Sequence, residues 1–425
     1  MTKKTTNTKT SARGPVLRCA TCGHERPLGA FFQPCPTCEA QERLRTLEPV
    51  YDYQDLRGRG TLEAWRKRAP DGHVPGLWMF REVLPLSPGS EPVSLVEGGT
   101  PLVRLDAAGP GRIWIKDETR NPTGSFKDRF QSVSISWARA AGHGKAVSTT
   151  TGNHGTSMAA YAAKAGMKGL VFCDPGTPEV HRRLIQLFGS WLAVLTNRKE
   201  LLEWLVRERG WYPSTGFTPP ISTPYGIEGY KTIGHEIFLQ LDRMPGRVLA
   251  PVSVGDVLYG PWKGFRELER LGAKGPLPRM YAIQAAGCDP VVRGFRDGAR
   301  EMPVHPDPRT IAMSIGDATG GWHALSPIYE SGGGAESVTD EEIVHAMGVI
   351  ARVGIAAEPA SAAPVAAALN QRKRGELGRD EDVVCIVTGS AAKWPDTLPL
   401  AYTPKALVDE NAAAMRAWIQ SFDRE

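Results

Sequence analysis

From Ile113 onward the chain alternates short apolar runs with longer stretches of helical periodicity, and this alternation limits the fold more than any other feature. Ile113–Ile115, Ala146–Ser148, Leu170–Cys173, Leu192–Leu195, Arg247–Val252, Arg279–Gln284 and Val383–Val387 have the length and composition of strands. Helices are expected between them: near Ser125 to Ala141, Thr156 to Ala165, Glu179 to Phe188, Lys199 to Arg209, and Tyr259 to Leu271. Two more are expected over Asp340 to Arg352, behind a Thr339 cap, and over Ser361 to Arg372. Crossovers of that length join parallel strands, so the chain reads as α/β with parallel sheets flanked by helices. Upstream the rhythm is missing: Tyr51 to Arg81 is charged and broken, with a short helical pattern near Thr61 to Lys67.

A separate module precedes this region. Cys19 and Cys22 form one C-x-x-C pair, Cys35 and Cys38 a second, with twelve residues between them. Two such knuckles can place four thiolates around one zinc, and Gly23 and Pro36 fall where the knuckles must turn. Four thiolates leave no coordination position open for water, which points to a structural metal. A ribbon that holds iron or has lost its metal also fits the spacing. A nucleic-acid ribbon would need a basic face with interleaved aromatics. This segment offers only Arg18, Arg26 and the pair Phe31-Phe32.

Net charge is +5, but Lys3, Lys4, Lys9 and Arg13 supply four of the five excess charges. The rest is nearly neutral, which argues against nucleic acid as a partner. The Thr/Lys-rich tail has almost nothing to bury and is expected to be disordered over residues 1–15. No stretch approaches the roughly 20 apolar residues of a membrane helix. The N-terminus carries no apolar export signal, and the remaining cysteines, Cys173, Cys288 and Cys385, are scattered. A cytoplasmic location is the expectation.

The most informative run is Lys116-Asp117-Glu118 followed by Asn121-Pro122-Thr123-Gly124-Ser125-Phe126-Lys127-Asp128-Arg129. A lysine in a first helical turn sits in the positive field of the helix dipole, which lowers an amine's pKa as a Schiff-base lysine requires. Taken alone, Lys127 reads first as a solvated helix-start lysine. Its surroundings reverse that order. The run resembles the lysine motif of the tryptophan-synthase β-like (fold type II) pyridoxal-phosphate enzymes, and most closely the threonine synthase family. Glu97-Gly98-Gly99-Thr100-Pro101-Leu102 is similar to that family's entry motif, and Ser148 to Asn153 to its coenzyme loop. Gly226 to Thr232, Glu358 to Ala363 and Thr388-Gly389-Ser390 follow in family order. The cysteine ribbon matches longer members.

The resemblance implies pyridoxal phosphate carried on Lys127 as a Schiff base, with Lys127 then moving protons at the substrate's α and β carbons. It implies that Asn153 bonds the coenzyme's ring hydroxyl oxygen. Ser253, Val254, Gly255, Asp256 and Val257 would form the phosphate loop, with Asp256 pointing outward or capping the helix. Thr388 would meet the pyridine nitrogen, a neutral partner that leaves the ring a weaker electron sink. Candidates for a second, substrate phosphate are Lys116, Thr149, Thr150, Thr151, Arg182 and Arg183, with His154 also facing the substrate. The implied reaction is that of threonine synthase, from phosphohomoserine to threonine.

Two departures bear on the substrate. Thr223-Pro224-Tyr225-Gly226 stands where threonine synthases often read Asn-Pro-x-Arg, and His154 stands where a small hydroxyl residue is commoner. The alternative is a sister enzyme eliminating or replacing on another activated amino acid: cysteate-synthase-like, diaminopropionate-ammonia-lyase-like or a secondary-metabolism paralogue. The expected architecture is a ribbon over 16–50, a large domain over 51–131 and 230–425, and a small inserted domain over 132–229. The coenzyme would lie in the cleft between the two α/β domains. The expected partner is a small amino-acid substrate bearing phosphate, with a homodimer as one possible assembly.

Overall fold

The computed structural model describes residues 14–105, 111–196, 198–216 and 223–398, together with 416 and 420. The expectation for the tail falls almost wholly outside them. Three sheets organise the chain. The first is antiparallel, in the order β2-β1-β3, and is made of β1 (Val16–Cys19), β2 (Glu25–Pro27) and β3 (Leu47–Val50).

The six-stranded sheet uses β4 (Leu102–Arg104), β5 (Arg112–Asp117), β10 (Arg247–Pro251), β11 (Arg279–Ala285), β12 (Gly334–Val338) and β13 (Asp382–Val387). Its order is β12-β11-β10-β13-β5-β4, parallel throughout except for β4 against β5. The four-stranded sheet, in the order β8-β7-β6-β9, is entirely parallel: β6 (Lys145–Thr150), β7 (Lys168–Cys173), β8 (Trp191–Val194) and β9 (Tyr212–Pro213). Its strands lie between two blocks of large-sheet strands in the chain. The architecture is therefore mixed α/β, with a small cysteine module in front. No helix among the described residues is long and apolar enough to cross a membrane.

Six helices position the cleft: α1 (Lys127–Ala140), α2 (Asn153–Ala165), α3 (Lys199–Arg209), α4 (Pro224–Leu241), α5 (Asp256–Arg270) and α6 (Trp322–Ser331). The 18-residue α4 is buried along every face, with Gln240 its one partly exposed residue. A helix buried all round must find partners for its polar residues. Glu236 takes Arg129 Nη1 and Lys116 Nζ at 2.6 Å each, and Arg129 Nε also reaches Glu118 at 2.7 Å. Nearer the N-terminus of α4, Glu228 and Lys231 join Lys263 and Glu267 of α5.

The ribbon packs on both α/β bodies. Phe32 meets the rings of Trp137 and Tyr212 edge-on. Tyr225 OH donates to Gly29 O at 2.6 Å, and Lys263 Nζ to Pro49 O at 2.7 Å.

Candidate active site

Strand β5 delivers the chain to the turn Asn121–Ser125, where Gly124 at φ +76° donates to Asn121 O at 2.7 Å. The turn is then stitched to the tip of β13: Phe126 N donates to Thr388 O and Ser390 N to Gly124 O, both at 2.9 Å. Lys127 therefore opens α1 at the C-terminal edge of the large sheet, where open parallel sheets bind ligands. Its amine lies 4.5 Å from the ring centre of Phe126 and 5.7 Å from that of Tyr230. Loss of water lowers its pKa, against an upward pull from Asp256, Asp317 and Glu358. A cavity of about 300 Å³ opens here, and Lys127, Asn153 and Thr388 all line it.

Asn153 is the first residue of α2, three residues before the expected start of that helix. A side chain on the preceding Gly152 would put its Cβ 2.8 Å from the His181 ring, so glycine lets the loop close on the helix Glu179–Leu187. Asn153 Nδ2 donates to Glu358 Oε2 at 2.8 Å, while Oδ1 is buried with no hydrogen-bond partner among the described residues. Burial raises the pKa of Glu358, and the charge of Lys393 works against the shift. Next to Glu358, whose N donates to Gly389 O at 3.0 Å, Thr388 Oγ1 and Ser361 Oγ are 2.7 Å apart, with Ser361 Oγ also accepting from Gly389 N.

After β10 the chain turns through Ser253–Gly255 into α5. Gly255 sits at φ +124°, and a Cβ there would lie 2.6 Å from Ala324 N. The N–H groups at the start of α5 precede its first intrahelical acceptors and can hold an anion. Asp256 departs from expectation. It is 9% exposed and lines the cavity, with His323 Nε2 2.7 Å from its carboxylate. Ser253 Oγ donates to Asp317.

Substrate-facing candidates divide. Thr149, Thr150, Thr151 and His154 line the cavity. Thr150 Oγ1 accepts from Gly152 N and Gly155 N at 2.8 and 3.0 Å, so that hydroxyl shapes the loop. His154 Nε2 lies 2.8 Å from Ser214 O, and burial, then the charge of Lys127, push its pKa down to about 3. Its imidazole is neutral at ordinary pH.

The structure does not bring Lys116 to this cavity. Its side chain is fully buried on Glu236, with Thr100 O and Gln240 Oε1 as further acceptors at 2.7 and 2.9 Å. The carboxylate of α4 claims that ammonium. Arg182 and Arg183 also lie off the cavity lining: Arg183 pairs with Glu179 at 2.8 Å, and Arg182 donates to Pro175 O.

Arg198, Thr215, Asp317 and Glu358 line the cavity but were not singled out from sequence, although Glu358 stands within a quoted motif. Arg198 follows a parallel strand's C-terminal end, a position that could have marked it. At Gly226 a Cβ would lie 2.2 Å from carbons of the Phe130 ring, so no larger residue fits unless that ring moves.

The four ribbon thiols cluster within 4.8 Å of one another. Cys19 and Cys38 Sγ are 3.8 Å apart, and Cys22 and Cys35 Sγ 3.5 Å. Tetrahedral zinc with bonds of about 2.3 Å needs sulfurs about 3.8 Å apart, so the donor set fits that ion.

The pyridoxal-phosphate-dependent enzyme family model matches residues 93–389. A threonine synthase of Methanocaldococcus jannaschii is 37% identical over 398 residues, covering 90% of this chain and 93% of its own length. One from Methanosarcina acetivorans is 36% identical over 410 residues, covering 94% and 97%. Among solved structures, a threonine deaminase isoform of Solanum lycopersicum aligns over 72% of this chain and 88% of its own, with a TM-score of 0.61. At 20% identity it speaks to the fold alone. The donors around the cavity suit pyridoxal phosphate: an amine, a strand-end hydroxyl, a buried amide and a helix N-terminus. By matched length and identity, the chain belongs to the pyridoxal-phosphate-dependent enzymes of fold type II, in the threonine synthase family.

Proposed function

We propose that the chain converts O-phospho-L-homoserine and water to L-threonine and inorganic phosphate. The observation that carries this reading is the convergence of Lys127, Asn153 and Thr388 on one cavity, in a chain 37% identical to a threonine synthase over nearly its whole length. Lys127 holds pyridoxal phosphate, Asn153 offers an N–H to its ring oxygen, and Thr388 offers a hydroxyl to its pyridine nitrogen. The N–H groups of Ser253–Val257 take its phosphate. When bound, the coenzyme supplies the electron sink for negative charge at the substrate's α carbon. Among the described residues Lys127 is the one amine lining the cavity, so its Nζ is assigned the proton transfers at the α and β carbons. Its lowered pKa favours the unprotonated form such transfers start from.

Around this site we read residues 132–229 as a small domain that closes on the remainder and excludes water until it is needed. We assign zinc to Cys19, Cys22, Cys35 and Cys38 as a structural ion.

Purified holoenzyme given phosphohomoserine should release phosphate and form threonine in equal amounts. A second reading, elimination on another activated amino acid, draws on Gly226 and the neutral His154. Ammonia and a keto acid from serine or a diamino acid, with phosphohomoserine inert, would establish it instead.

A further inference from the structure

The four parallel strands of the small sheet each deliver polar groups to one place. Strand β6 ends in Thr149 and Thr150 and is followed by Thr151, β7 is followed by Asp174, β8 by Arg198 and β9 by Thr215. Thr149 Oγ1 and Thr215 Oγ1 lie 3.3 Å apart. Arg198 Nη2 pairs with Asp174 Oδ1 at 2.9 Å, and its Nη1 donates to Thr150 O at 3.3 Å. These contacts fix the orientation of a guanidinium that carries five N–H donors.

A second cavity, of about 420 Å³, adjoins the first. It shares Thr151 with it and is lined by Asp174. Arg198 thus lines the first cavity while its partner lines the second.

Two cations line the first cavity among the described residues, Lys127 and Arg198. Lys127 is committed to the coenzyme. Lys116 is bound to Glu236, His154 is uncharged at ordinary pH, and Gly226 is closed to a long side chain by Phe130.

We propose that Arg198 is the specificity-determining residue that receives the substrate's phosphate, oriented by Asp174 and flanked by the Thr149 and Thr215 hydroxyls. The inference rests on the phosphohomoserine reading above. Arginine suits the task because its planar fork meets phosphate with paired N–H bonds, which lysine's point charge cannot reproduce. Arg198 follows a strand of the small sheet and the Ser253–Val257 loop a strand of the large one, so substrate and coenzyme phosphates are assigned separate receptors.

The test uses holoenzyme, in which the coenzyme fills its own phosphate loop, with inorganic phosphate as the probe. Phosphate binding is followed calorimetrically and as competition against phosphohomoserine, in the wild type and in Arg198→Met and Arg198→Lys. Arg198→Met should weaken phosphate binding and raise KM by roughly 10- to 100-fold, the range for a lost charge-assisted hydrogen bond. Arg198→Lys should recover part of the loss, and coenzyme absorbance and affinity should be unchanged in both. If phosphate binding and KM in Arg198→Met match the wild type, the assignment of Arg198 is wrong. If wild-type holoenzyme neither binds phosphate nor releases it from phosphohomoserine, the functional reading itself fails and takes this inference with it.

Discussion

Asn153 and Glu358 are joined by a 2.8 Å hydrogen bond in the wall of the cavity that Lys127 lines. The bond fixes one N–H of the Asn153 amide on a carboxylate and so sets where the other points. Replacing Glu358 with Ala frees that amide. Coenzyme affinity should fall roughly 10- to 100-fold, as for loss of a bond to a charged group. Glu358→Gln, which keeps an acceptor, should stay much closer to the wild type. Titration of apoprotein with pyridoxal phosphate, followed by absorbance, reads both variants. Equal affinities in all three proteins would remove Glu358 from the argument.

Lys116 belongs to a buried ion network with Glu236, Arg129 and Glu118. Removing one partner of such a pair costs about 3–5 kcal/mol, because a buried charge is left uncompensated. Lys116→Met should therefore lower the denaturant midpoint strongly while KM for a phosphorylated substrate stays near its wild-type value. A raised KM in a protein of unchanged stability would return Lys116 to the substrate site.

His154 and His181 are both held at about 3 by burial. In the unfolded chain each takes a proton near pH 6.5. Between those values the unfolded state binds more protons than the folded one. Stability from each residue is thus fully present above about pH 6.5 and is lost as pH falls towards 3, at roughly 1.4 kcal/mol per pH unit. Urea unfolding between pH 7 and 4 should show this slope, and His181→Asn should flatten it by one residue's share. An unaltered slope in that variant would mean His181 is protonated in the folded state.

Cys35 lies in the same apolar cluster as Trp137, and Phe32 of the ribbon packs against that indole. Metal analysis should find about one zinc per chain, and Cys35→Ser should lose it. Loss of the ion should also lower the thermal midpoint and change tryptophan fluorescence. Wild-type protein with no stoichiometric metal, or a variant that retains it, would contradict the zinc assignment.

Much of the fold was legible because the strands are apolar and the helices between them long. Lys199–Arg209 forms the helix its periodicity implies, and Thr339 caps the helix Asp340–Ala351, its Oγ1 accepting from Glu342 N and its own N donating to the Glu342 carboxylate. The helix Pro224–Leu241 was not legible: it is buried on all sides, so no polar face marks a period, and glycines interrupt it. The helices after Gly152 and Gly255 begin three residues earlier than expected, since a glycine at each start offers no side-chain cap to mark it. Lys116 shows a further limit. Only the fold reveals that Glu236, 120 positions away, pairs with it, just as only the fold brings Arg198 to the cavity that Thr149 and Thr215 line.

The central claim concerns which amine carries the coenzyme, and reductive trapping tests it most directly. Holoenzyme is treated with borohydride, digested, and its peptides are mapped by mass spectrometry. The expected result is one pyridoxyl-phosphate adduct, on Lys127, absent from Lys127→Ala. An adduct on Lys116, Lys231, Lys263 or Lys393, or none at all in coenzyme-saturated wild type, would contradict it.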